Sequence, residues 1–112
     1  MSLLQKAQEH YRAKLDAEPR ALEVPEWGAT VYIKPAISLL RLGEVMELAN
    51  SGKAAEAMVL TLIYRLVDEE GTPLFRKAER TELMRSVDPD VLARIVGVIN
   101  EDTPTEEDAL GN

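Results

Sequence analysis

Apolar positions recur every three to four residues along most of the chain, and the elements they predict are helices. Leu4, Ala7, Tyr11 and Leu15 share one face, which predicts a first helix over residues 3–17 with a narrow apolar stripe, stopped by Pro19. A stripe that narrow buries little within one domain, so this helix is expected to dock weakly or to complete its burial on another subunit. Ser38 suits the N-cap of a second helix, with Leu39, Leu42, Val45, Met46 and Ala49 on one side, Arg41, Glu44 and Glu47 on another, and Asn50-Ser51-Gly52 at its end. Residues 53–67 are apolar on nearly every side, the pattern of a helix surrounded by others, and are expected to form the centre of the core. A short fourth helix is read over 77–86. The fifth opens at Asp88-Pro89, an N-cap followed by a first-turn proline, and turns Val91, Leu92, Ile95, Val96, Val98 and Ile99 inward. Gly97 costs that helix roughly 1 kcal/mol relative to alanine, so close approach of another backbone is expected there.

One stretch breaks the helical pattern. In "VPEWGATVYIK" (24–34), Pro25-Glu26-Trp27-Gly28 is rich in turn formers and Thr30-Val31-Tyr32-Ile33 is a β-branched and aromatic run; with Leu22-Glu23-Val24 before it, the segment reads as a hairpin. A two-stranded hairpin is marginal in water, so this one must lie on the helices or be extended by another strand. The fold class is therefore mainly α: a small bundle of about five helices with a short β-hairpin near 22–34, after the first helix. Residues 68–75, "DEEGTPLF", form a turn around Gly71 and Pro73 that ends in an apolar pair, Leu74 and Phe75.

Charge changes this picture mainly at the C-terminal end. The 112 residues carry 13 bases and 20 acids, a net charge of -7. Five of those acids lie in 101–112 with no base beside them, leaving residues 1–100, read as one domain, close to neutral. The end segment has too little apolar surface to offset its ordering entropy and is expected to be an acidic, mobile tail. A net negative chain has the wrong sign for gripping nucleic acid through its phosphates. The two-helix reading of 81–100 as a DNA reader fails for the same reason, since its exposed positions offer only Asp90, Arg94 and Asn100. Residues 54–67 are too short, and too charged at Glu56 and Arg65, to cross a membrane. Met1-Ser2-Leu3-Leu4 runs directly into Gln5 and Lys6, so no export signal is expected.

Catalytic chemistry is poorly supplied. There is no cysteine, and the single histidine, His10, sits off the apolar stripe of its helix among charged neighbours. Glycine-rich phosphate loops are missing, as is spacing for a Ser-His-Asp arrangement. Asp68-Glu69-Glu70 lacks the alternating oxygens and closing glutamate of a calcium loop, so no metal or other cofactor is expected. The remaining class is a protein that holds other proteins: an edge-exposed hairpin, an incompletely buried helix, an apolar loop and a charged tail all belong to it. The candidate contact residues are Leu4, Tyr11 and Leu15 on the first helix, Trp27, Tyr32 and Ile33 on the hairpin, and Leu74 and Phe75 in the loop.

In order, "VPEWGATVYIK", an apolar helix running into "DEEGTPLF", and "ELMRSVDPDVLARIVGVIN" resemble the tail assembly chaperones of long-tailed bacteriophages, particularly the lambda-like noncontractile type. The resemblance covers roughly residues 21–100. The chain departs from it at "KPAISLLRLGEV", where Pro35 and an apolar run replace a more polar helix start. The resemblance implies a non-enzymatic chaperone of the host cell cytoplasm, missing from the finished virion. Its partners would be the tape measure protein, which it keeps soluble, the tail tube protein, other copies of itself as a homo-oligomer, and a longer frameshifted form. The alternative is a structural tail or head-completion protein incorporated in the particle.

Overall fold

The computed structural model describes residues 2–101. Five helices and a small sheet follow one another as α1 (Leu3–Leu15), β1 (Arg20–Val24), β2 (Ala29–Ile33), α2 (Leu39–Asn50), α3 (Ala54–Arg65), β3 (Leu66–Val67), α4 (Arg80–Ser86) and α5 (Pro89–Glu101). The mainly helical class with a hairpin after the first helix is the architecture found. The predicted tail lies outside the described residues except for Glu101, which is the last residue of α5.

α1 ends at Leu15, two residues before the expected end at 17. Ser2 caps it, with the Ser2 hydroxyl accepting from the Gln5 N–H and the Gln5 side chain accepting from the Ser2 N–H, which satisfies two of the donors that a helix start leaves open. None of its residues is buried among the described residues.

The sheet is antiparallel in the order β1-β2-β3. Leu22 lies opposite Val31 and Val24 opposite Ala29, and a 3-10 turn over Pro25–Trp27 joins the two strands. Gly28 closes that turn at φ 60°, a left-handed conformation that suits a residue without Cβ. The third strand is a difference from the sequence reading, in which the helix continues to Val67. α3 stops at Arg65, and Leu66 and Val67 pair instead with Ile33 and Tyr32. Arg65 secures the switch: its carbonyl accepts from the Lys34 N–H and its Nε donates to the Lys34 carbonyl. The hairpin thus gains its third strand from its own chain.

The core lies between the inner face of the sheet, α3 and α5. Val24, Val31 and Ile33 from the strands meet Val59, Leu60, Leu62 and Ile63 of α3 and Val91, Leu92, Ile95 and Ile99 of α5, all buried. The helix that is apolar on nearly all sides is the central one. Gly97 contradicts its expectation, because a Cβ there would meet no atom within 4 Å and the position is exposed. α2 also corrects the sequence reading. Its inner face carries Glu44, Val45 and Leu48, whereas Leu39, Met46 and Ala49, read as its apolar side, are exposed, and Leu42 is at the margin. Glu44 explains the rotation: its carboxylate accepts from the Tyr64 hydroxyl at 2.9 Å and from Lys77 Nζ at 3.0 Å, so a polar side chain belongs at the α2–α3 seam.

Candidate functional site

The hairpin turn and the 68–75 loop converge to make an apolar cleft. Asp68 organises the loop, its carboxylate accepting from the N–H groups of Glu70 and Thr72. The Leu74 N–H donates to the Leu66 carbonyl, which holds the loop's end beside the sheet. Phe75 then meets Trp27 edge to face, the ring centroids 6.0 Å apart and the planes at 79°, an arrangement favoured by the ring quadrupoles. Both rings are half-buried and rest on the core. With Leu83 and Val87 they line a cleft of about 410 Å³, whose rim carries Glu79, Glu82 and Ser86.

Ion pairs hold the walls. Arg94 of α5 grips Glu26 of the hairpin turn with two bonds, of 2.6 and 2.8 Å. Arg94 hydrogen-bonding, helped by a backbone N–H, draws the Glu26 carboxyl down from its ordinary 4.5 to about 2. Arg80 of α4 pairs with Glu56 of α3. Lys77, just before α4, pairs with Glu44 of α2; the mutual hydrogen bond lowers the pKa of Glu44 and raises that of Lys77. Arg41 stands 4.9 Å over the Tyr64 ring on the same side. Burial lowers the pKa of Lys34, with repulsion from Arg41 and Arg65 adding to it.

The predicted contact residues therefore separate into three groups. Trp27 and Phe75 are brought together in the cleft, and Leu74, partly exposed, precedes Phe75 on the loop. Tyr32 is half-buried in the middle strand, while Ile33 is 1% exposed and belongs to the core, so it supports the hairpin from beneath and offers no outer surface. Leu4, Tyr11 and Leu15 lie on α1 and none of them lines the cleft: Leu4 is 68% exposed and the other two are half-buried. Near the end of α1, Lys14 flanks a shallow groove lined by Pro35, Ala36, Leu42, Val45 and Ile99. His10 is exposed.

Sequence reasoning missed the α4 wall. Leu83 and Val87 at an i, i+4 spacing, with Glu79 one turn before Leu83, were a readable signal of one face, but a helix this short gives little periodicity. It also missed the exposed leucines at the start of α2, Leu39 and Leu40. Among the described residues, no three His, Cys, Asp or Glu side chains gather as a metal site, and no helix is long and apolar enough to cross a membrane.

A scan against protein-family models and a search of curated proteins both found no match. Among solved structures, the chain is similar to that of the bacteriophage HK97 tail assembly chaperone. The TM-score is 0.67 at 21% identity, over 92% of this chain and 98% of that one. At that identity the likeness is one of fold.

Proposed function

We propose that this protein is a phage tail assembly chaperone that binds the tape measure protein, keeps it soluble and helps to recruit tail tube subunits. The observation that carries the reading is the likeness of fold to the HK97 tail assembly chaperone, which spans nearly the whole of both chains. Ordered sequence motifs point the same way, and the Trp27–Phe75 cleft supplies a surface suited to the task. A chaperone for an aggregation-prone chain needs apolar ground for the client and charge around it to keep the complex in solution. Both are present, since aromatic and aliphatic side chains line the cleft and carboxylates rim it. No bond is made or broken in this role; the protein acts as a binding protein in the host cytoplasm, leaves before the virion is complete, and associates with copies of itself and with a longer frameshifted form.

Co-expression with the tape measure protein of the same phage tests the reading. A soluble complex, resolved by size-exclusion chromatography with light scattering, from a client that is insoluble alone is the expected result. A folded protein that forms no complex with that client overturns it, and finding the chain in purified virions by mass spectrometry would replace it with a structural role.

A further inference from the structure

We propose that the tip of α1 in one copy docks into the Trp27–Phe75 cleft of another, giving the self-association proposed above, on which this inference rests, a defined and directional interface. Two unfinished surfaces of opposite character carry the argument. α1 buries no residue among the described ones, and Leu3 and Leu4 at its start are 82% and 68% exposed. A helix of 13 residues is marginal in water on local interactions alone, so an apolar tip left in solvent calls for a cover. It is also a basic element: Lys6, Arg12 and Lys14 face one acid, Glu9.

The cleft is its complement. Trp27, Phe75, Leu83 and Val87 offer apolar ground, and the charged groups of its lining are both acids, Glu79 and Glu82. Glu79 is engaged by Arg76, whereas Glu82 has no ion pair among the described residues. Leu3, Leu4 and Ala7 can enter such a site while Lys6, one turn from Leu3, meets the Glu82 side of the rim.

Chain geometry makes the docking intermolecular. α1 leads into β1 at Arg20, which pairs with Ile33 at one end of the hairpin, whereas Trp27 stands at the other end. Lys14 meanwhile flanks the groove formed with Ala36 and Ile99. Neither Leu3 nor Leu4 lines the cleft of its own chain, and both stand in solvent at the opposite end of α1 from Lys14, so they are offered to a neighbour. Donor and acceptor are different patches, so the contact is heterologous and can add copies in sequence.

The test exchanges the charges in the full-length protein and follows its self-association by sedimentation velocity over a concentration series. Lys6→Glu and Glu82→Lys are both at exposed positions, so circular dichroism should show unchanged folding. Each alone should weaken association about tenfold or more. Mixing the two variants should restore it, because the wild-type helix of one fits the wild-type cleft of the other and the two altered surfaces also match in charge. A wild-type protein that stays monomeric, association that ignores Glu82→Lys, or a mixture that does not recover would each overturn the proposal. Loss of the tape measure complex in Glu82→Lys, with self-association intact, would overturn the docking and leave the cleft to the client alone. Because the assay uses this protein alone, its outcome is separate from that of the co-expression test.

Discussion

α1 and α5 are both 13 residues long and both begin with well-formed starts, yet one lies wholly outside the core and the other forms a wall of it. Ser2 and Gln5 cap α1 reciprocally; Asp88 precedes a first-turn proline in α5, and its carboxylate accepts from the Asp90 N–H. Local chemistry therefore sets where both helices start. What separates them is the width and bulk of the apolar face. α5 presents Val91, Leu92, Ile95 and Ile99, with Val96 and Val98 beside them, whereas α1 has a single file containing an alanine and flanked by charge on either side. Capping fixes where a helix begins, and stripe width decides what it packs on.

The largest expected contrast comes from truncating one residue on each. Ile95→Ala removes a side chain that is 0% exposed at the centre of the core, and should cost about 2–5 kcal/mol in a denaturant titration. Leu4→Ala should cost under about 0.5 kcal/mol in dilute monomer, because its side chain is already in water. Ser2→Ala should lower helix content without moving the main unfolding transition. If either α1 variant shifts that transition by more than about 1 kcal/mol, α1 is coupled to the core and the comparison fails.

Trp27→Ala comes next. The ring is half-buried, packs on the core and meets Phe75 edge to face, so a loss of about 2 kcal/mol is expected, below the range for a fully buried aromatic. The same variant should weaken client binding when assayed under conditions where it is folded. Unchanged stability together with unchanged binding would remove Trp27 from both roles.

Much of this fold was legible because its core elements announce themselves. α3 is apolar nearly all round, α5 carries a broad stripe after Asp88-Pro89, and Pro25–Gly28 marks the hairpin turn. The failures share one physical cause, which is partners distant in sequence. Leu66 and Val67 continue the apolar run of α3, and only pairing with Ile33 and Tyr32 makes them a strand. α2 turns Glu44 inward beside Val45 and Leu48 because Tyr64 and Lys77 claim its carboxylate, a demand nothing local reveals. The candidate site behaved likewise: Trp27 and Phe75 could each be singled out as candidate contact residues, but their meeting, and the α4 wall beside them, needed the tertiary fold.

Gly97 sharpens the comparison from the α5 side. It interrupts the better-packed helix at an exposed position, where an added Cβ would meet nothing within 4 Å. Gly97→Ala should therefore stabilise the protein by about 0.5–1 kcal/mol, the ordinary difference in helix propensity. A destabilised variant, read as a lowered melting temperature, would mean that a partner approaches α5 there.

The smallest effect expected is acid release of the clamp between α5 and the hairpin turn. Arg94 holds the Glu26 carboxyl at about 2, below its ordinary 4.5, so the folded state binds this proton less readily than the unfolded chain does. The contribution is complete above about pH 4.5, declines as pH falls below that value, and is gone once Glu26 is protonated in the folded protein near pH 2. Both partners are solvent-accessible, so the effect on stability is modest and weakens with added salt. Trp27, the sole tryptophan, adjoins Glu26 and provides the probe. Its emission should shift as pH falls toward about 2 in the wild type, and Glu26→Gln should abolish that step while leaving the fold intact at neutral pH. An identical acid titration in both proteins would show that the turn is held by packing alone, and that α5 binds the hairpin as a purely apolar wall.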